Sequence, residues 1–166
     1  GYSSAASDVY KRQVQEHIPG SELAFCENRA ADSVIGFYCT LAQRENIPFS
    51  LKIDLPQRLP VDEIDLCLVL SNVLENALEA SRKAGAGRHM EIAAYVYAEN
   101  MVLIQVINAY SGEIRRVHSV FQSSKRPGDG VGLQSVRRIA EKNGGAATFS
   151  FADGIFTARI MLRGKD

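Results

Sequence analysis

Apolar residues recur at intervals of three and four in three segments of the chain, and this spacing predicts three amphipathic helices. The segments are 28–44, 62–83 and a third that the glycines of 128–132 open and that ends before 143. Asp62 is the predicted N-cap of the second helix, because an aspartate side chain there can accept from a free backbone N–H. The third helix is expected to stop at the asparagine and two glycines of 143–145.

Apolar and polar residues alternate in five other segments, which predicts five strands. They are 47–55, 91–97, 101–107, 147–151 and 155–162. Asp153-Gly154 is a hairpin signal between the last two. This order of helices and strands lacks strict alternation and predicts an α+β fold, a two-layer sandwich with three helices on one face of a mixed sheet. The other face of the sheet is expected to be solvated.

Two segments lie outside this pattern. Residues 1–20 are polar and end in Pro19-Gly20, so they are interpreted as a linker, a non-native remnant or the frayed end of a preceding helix. The folded domain is then expected to occupy 21–166. Residues 109–128 have no sustained period, and a loop of that length inside a compact domain is usually functional or mobile.

Composition narrows the function classes. The chain has 166 residues, which suits one domain, and its 19 basic residues balance 19 acidic ones. No basic field of the kind that binds nucleic acid is therefore expected. The sequence holds no apolar run of membrane-spanning length and no signal-peptide pattern. Its three widely spaced cysteines indicate a reducing, cytoplasmic setting, with Cys39 and Cys67 as small core residues.

The run from Gly128 to Leu133 is the first candidate for chemistry. Gly128, Gly130 and Gly132 stand at alternate positions, with Val131 between the last two, and they lead into the third predicted helix. Glycines at a helix start let the backbone approach an anion closely, while free N–H groups and the helix dipole attract it. The run therefore predicts a phosphate site; the alternative is a flexible loop that precedes a helix.

The second predicted helix carries two asparagines one turn apart, Asn72 and Asn76. At about 100° per residue, one side holds Cys67, Leu70, Leu74 and Ala77, and the opposite side holds Asp65, Asn72, Asn76 and Glu79. On a solvated face the asparagines would cost little. In a cleft, each unpaired amide would cost roughly 1–3 kcal/mol, so a ligand should satisfy it. An amide oxygen with phosphate and water suits magnesium.

These two segments together resemble a known superfamily. Asn72-Val-Leu-Glu-Asn76-Ala-Leu-Glu-Ala, followed by Gly128-Asp-Gly-Val-Gly132-Leu, resembles the N box and the second glycine box of the GHKL ATP-binding proteins, which include histidine kinases, gyrase and MutL. The similarity extends over about 23–162 and implies the Bergerat-type ATP-binding fold. Four flanking segments resemble sensor kinases related to quorum-sensing receptors; they are 26–28, 42–47, 55–56 and 61–66.

The resemblance implies roles for these residues. Asn76 matches the magnesium-binding asparagine, and Asn72 matches the polar residue that meets phosphate or water near the metal, which makes it the candidate catalytic residue. The glycine box, with Val131 and Leu133, would meet the phosphates of ATP. The segment 110–127 corresponds to the ATP lid. Within it, Lys125 is either a partner of the terminal phosphate or a solvated lysine.

Two positions depart from the family pattern. The family's first glycine box usually carries an aspartate that accepts from the adenine amino group, and Asn108 stands in its place without the glycine pair. An amide oxygen can still accept that bond, although more weakly than a carboxylate. Glu79 occupies a position where many sensor kinases have a basic residue. Arg82 or Lys83 would have to substitute for it from further along the helix.

The leading hypothesis is the ATP-binding catalytic domain of a sensor histidine kinase. It would position Mg-ATP for phosphoryl transfer to a histidine on a helical hairpin outside this sequence. Its expected partners are ATP or ADP, that hairpin and a response regulator, in a homodimeric and membrane-anchored full-length protein. Asn72 stands where GHKL ATPases place a glutamate base, which favours transfer over hydrolysis. The alternatives are another GHKL ATPase, an anti-sigma-type serine kinase, or an interaction module that has lost nucleotide binding.

Overall fold

The computed structural model describes residues 25–111 and 127–165, which form helices and strands with the predicted order. Residues 1–24 and the greater part of the predicted lid, including Lys125, lie outside the described residues. The elements are α1 (Arg29–Arg44), β1 (Phe49–Asp54), α2 (Glu63–Ala84), β2 (Met90–Tyr97), β3 (Met101–Ala109), α3 (Pro127–Lys142), β4 (Ala146–Ala152) and β5 (Ile155–Arg163).

The five described strands form one mixed sheet in the order β1-β2-β3-β5-β4. β1 and β2 run parallel, and the other neighbours are antiparallel. α2 packs on β2 and β3, α3 packs on β4 and β5, and α1 packs against α2. The predicted two-layer α+β sandwich is therefore confirmed.

Local signals in the sequence explain where several elements begin and turn. The Asn28 side chain accepts from the Ala31 N–H at 2.8 Å and caps α1. Asp62 accepts from the Asp65 N–H at 2.9 Å and caps α2, as predicted. Between β4 and β5, Asp153 and Gly154 both have positive φ, 52° and 76°. That is the primed turn which matches the twist of a hairpin.

The core lies between the helices and the sheet, and the sheet's other face is the more exposed one. β3 and β5 alternate between buried and partly exposed residues, whereas Tyr95 and Tyr97 of β2 are exposed. Cys39 is fully buried, as predicted. The prediction that Cys67 is a core residue is wrong, because its neighbour Leu66 faces the core and Cys67, a further 100° around the helix, is only half-buried.

α3 begins earlier than expected. Its first residue is Pro127, so the whole glycine run lies inside its first turns rather than straddling its start. Proline is favoured at the first helical position, because its φ is already helical and the N–H that it lacks would be unpaired there. The helix therefore begins directly before the glycine box.

Contacts between the helices fix their directions. At the start of α2, Asp65 accepts from Lys142 Nζ at 3.1 Å and Asn143 Nδ2 at 3.0 Å, both at the end of α3. α2 and α3 are therefore antiparallel. α1 and α2 run in the same direction, because their first residues are joined by Asn28 and Glu63, whose side chains are 2.8 Å apart.

Candidate nucleotide site

The two sequence boxes meet where α2 and α3 cross. Asn72 is half-buried, and its Nδ2 donates to the Leu68 carbonyl at 2.9 Å, which leaves Oδ1 on the side of α3. A Cβ added to Gly132 would lie 3.3 Å from that Oδ1. The absence of a side chain at Gly132 therefore allows the N box and the glycine box to touch.

Asn76 lies one turn beyond Asn72 on the same face of α2, and it is half-buried. Because α3 runs antiparallel, four residues forward on α2 correspond to four residues back on α3, from Gly132 to Gly128. The first N–H groups of a helix have no partner within it. The backbone donors at the start of α3 are thus level with Asn76.

Four other residues of the predicted site would meet a ligand through their backbone. The side chain of Leu133 is buried in the core, so only its main chain is available to a ligand. Gly128 and Gly130 lie in the first turns of α3. For Val131 the structure gives the helical backbone, and its predicted contact with phosphate stays a prediction.

Asn108 lies at the end of β3 and is buried, with 1% of its surface exposed. Its Nδ2 donates to the Ala109 carbonyl at 2.9 Å, which fixes the amide orientation. Its Oδ1 has no hydrogen-bond partner among the described residues. An acceptor buried in this way costs free energy until a donor reaches it.

Ser81 shares this property, and the sequence reasoning missed it. Its hydroxyl is fully buried in α2 and has no partner in the part of the chain that the structure describes. A serine side chain inside a helix commonly bonds to the carbonyl one turn earlier. The available signal was its position, four residues after Ala77 on the buried face of the helix.

The expectation that Arg82 replaces the missing basic residue is wrong. Its guanidinium donates to both carboxylate oxygens of Glu45, at 2.7 and 2.9 Å, at the end of α1. This bidentate bond lowers the pKa of Glu45. Arg82 is therefore directed at α1 and away from the Asn72 face. At Lys83 the carbonyl accepts from Ser111 Oγ at 2.8 Å.

Within the described ranges, no group of three or more His, Cys, Asp or Glu side chains is arranged to hold a metal ion. A magnesium ion at Asn76 would therefore depend on oxygens that a nucleotide and water supply. Among the same residues, no helix has the length and apolar character needed to cross a membrane.

Comparison with known proteins identifies the family. Residues 61–163 match the GHKL domain family. The chain belongs to this family, as the two boxes predicted.

Two sequence relatives are sensor proteins, and one of them is a sensor histidine kinase. The chain is 26% identical to the sensor histidine kinase HprS of Escherichia coli over 81% of its length, and 30% identical to the sensor protein FixL of Bradyrhizobium diazoefficiens over 75%. It spans only 30% and 26% of the length of those relatives. The narrower resemblance to quorum-sensing receptors stays a prediction.

Solved structures share the fold. The catalytic domain of histidine kinase ThkA, in a nucleotide-free form, aligns with a TM-score of 0.65 at 20% identity, covering 84% of this chain and 95% of that one. The mycobacterial sensor histidine kinase MprB aligns with a TM-score of 0.59 at 24% identity, covering 80% and 93%. These alignments agree with the two-layer α+β fold that the sequence predicts.

Proposed function

We propose that the chain is the ATP-binding catalytic domain of a sensor histidine kinase and that it positions Mg-ATP for transfer of the terminal phosphoryl group. The observation that supports this proposal is the close approach of the Asn72 amide to Gly132, within the first two turns of a glycine-bearing helix. The relatives, a sensor histidine kinase and a sensor protein, are longer than this chain, so the activity, substrate and partners of the whole protein are part of the proposal.

The phosphates would lie at the N-terminus of α3. Gly128 and Gly130 leave its backbone donors open to an anion, and the helix dipole adds to the attraction. Asn76 would hold magnesium through its amide oxygen, with Asn72 one turn away on phosphate or water. Magnesium, when bound, neutralises charge on the phosphates. Lys125 is proposed as a further contact to the terminal phosphate.

The base would lie against Asn108. Its amide is oriented by the bond to Ala109, so the buried Oδ1 is the atom that meets a ligand. An adenine amino group donates a hydrogen bond, and it would satisfy this acceptor. The residue present therefore fits the family's adenine position even though it is neutral.

Asn72 favours phosphoryl transfer over hydrolysis. A neutral amide does not take a proton from water, so this position lacks the general base that a GHKL ATPase uses. The acceptor is proposed to be a histidine on a helical hairpin outside this sequence, and a response regulator is the next partner. We also propose that the full-length protein is a membrane-anchored homodimer.

The proposal is tested by calorimetric titration of ATP and ADP, with magnesium and with EDTA. We expect binding that weakens on magnesium removal, and we expect Asn76→Ala to lose most of the magnesium-dependent affinity because the amide ligand is gone. Arg82→Ala is the control on the same helix; its guanidinium is held by Glu45, so affinity should not change.

Two results would contradict the proposal. If the unmodified chain binds no nucleotide at millimolar concentration, it is an interaction module that has lost nucleotide. If Asn76→Ala binds ATP with unchanged affinity in both magnesium and EDTA, Asn76 is not the metal ligand. Circular dichroism of the variant would establish that it is folded.

A further inference from the structure

The two buried polar atoms without a described partner lie on facing elements at one end of the domain. Asn108 is the last inward-facing residue of β3, and Ser81 lies on the buried side of α2, one turn before that helix ends. α2 packs against β3. Ser111 further ties the chain that leaves β3 to the end of α2, through its 2.8 Å bond to Lys83. Both orphaned atoms thus belong to the same end of the layer between helix and sheet.

Their hydrogen-bonding capacities are complementary. The bond from Asn108 Nδ2 to the Ala109 carbonyl fixes the orientation of the amide, and the buried Oδ1 is the Asn108 side-chain atom without a partner among the described residues. The Ser81 hydroxyl can donate as well as accept. A ligand that presents a donor beside an acceptor would satisfy both. The edge of adenine has this arrangement, with the amino group beside the ring nitrogen N1.

We propose that Ser81 is a second base-reading group, which donates to adenine N1 directly or through one ordered water while Asn108 accepts from the amino group. This inference rests on the proposed nucleotide function. Guanine presents a carbonyl oxygen where adenine has its amino group, so two acceptors would face each other at Asn108. Base recognition by the described residues would then depend on two neutral side chains, Ser81 and Asn108.

Two ATP analogues separate the two contacts. Purine riboside triphosphate lacks the amino group, and 1-deaza-ATP lacks the N1 acceptor. Calorimetric affinities are measured for ATP and both analogues with magnesium, for the unmodified chain, Ser81→Ala and Asn108→Ala. Thermal midpoints without nucleotide are recorded for all three proteins, and Ser81→Thr is added because it keeps the hydroxyl.

We expect Ser81→Ala to weaken ATP by about three- to tenfold, the usual effect of one hydrogen bond, and to leave 1-deaza-ATP unchanged. Asn108→Ala should weaken ATP and leave purine riboside triphosphate unchanged. The thermal midpoint of Ser81→Ala should not fall, because alanine removes a buried hydroxyl without a described partner and favours the helix. Ser81→Thr should bind ATP more tightly than Ser81→Ala.

The inference is overturned if Ser81→Ala weakens ATP and 1-deaza-ATP equally, since the hydroxyl would then act on the shape of the pocket rather than on N1. It is also overturned if Ser81→Ala leaves ATP affinity unchanged. If the unmodified chain binds neither ATP nor the analogues, the proposed function itself fails. Binding by the unmodified chain, with the wrong analogue pattern in the variants, rejects the role of Ser81 alone.

Discussion

Buried polar residues at the two ends of the helical layer differ in how many of their polar atoms have hydrogen-bond partners. At the end where α1 and α2 begin, Asn28, Asp32 and Asp65 are buried and each has two or more partners. At the end where α2 finishes, Ser81 and Asn108 are buried just as deeply and each keeps an atom without a described partner. At the first end the buried polar side chains find their hydrogen-bond partners within the protein, whereas at the second end a ligand could supply the missing partners.

This difference separates two roles that burial alone does not distinguish. A buried polar group whose partners are all within the protein contributes to the free energy of unfolding. A buried group left open costs stability in the free protein and contributes when a ligand binds. Substitutions at the end where α1 and α2 begin should therefore change stability, and substitutions at the proposed nucleotide site should change nucleotide affinity.

The largest expected effect on stability is at Asp32. Its Oδ1 accepts from the backbone N–H groups of Phe25 and Cys26, at 2.8 and 3.1 Å, and thereby holds the chain just before α1. Asp32→Ala should lower the free energy of unfolding by about 3 kcal/mol, because buried donors lose a charged acceptor. Urea denaturation measures this. ATP affinity below the transition should stay unchanged; a parallel loss of affinity would break the distinction between the two ends.

Gly132→Ala should have the opposite effect to Asp32→Ala: ATP affinity should fall while stability does not. The new Cβ would lie 3.3 Å from Asn72 Oδ1 and force that side chain to shift. Alanine favours the helix over glycine by about 1 kcal/mol, so stability should hold or rise. We expect ATP affinity to fall about tenfold, or about 1.4 kcal/mol. Gly36→Ala is the control: its Cβ would meet only the Phe25 ring, at 3.4 Å. An unchanged affinity in Gly132→Ala would place the phosphates elsewhere.

The smallest effect is a pH dependence at Asp65. The hydrogen bond from Asn143, followed by Lys142, holds the pKa of this carboxyl below its usual range. Its stabilisation is therefore present above the unfolded pKa of about 4 and is lost as pH falls through the lower folded value. Asp65→Asn should cost about 1 kcal/mol near pH 7, and this difference should shrink in acid. Denaturation curves at pH 7 and pH 3 measure it; a constant difference would exclude the carboxylate as the cause.

The sequence predicted the structure correctly where interactions between residues close in the chain determine it. Apolar spacing predicted the helices and strands within a few residues, and Asp62 and the Asp153-Gly154 turn acted as expected. Asn72 and Gly132 were predicted to converge, because two patterned boxes are stronger than either alone, and the structure brings them together.

Predictions from the sequence failed where the contacts of a side chain are made with residues distant in the chain. Arg82 was expected to replace the missing basic residue, but it binds Glu45, which is 37 positions away. Asp65 was placed on the asparagine face, yet its partners on α3, 77 and 78 positions away, had no sequence signal. Ser81 was missed because whether a hydroxyl has a partner depends on the packing around it.

The parallel pairing of β1 with β2 constrains the evolution of the asparagine-bearing helix. α2 is the crossover between those strands, so both of its ends are tied to neighbouring positions in the sheet. An insertion of one residue before Asn72 would rotate every later side chain by about 100° and turn both amides away from α3. Length changes in this part of the chain should therefore be confined to the connections before and after the crossover.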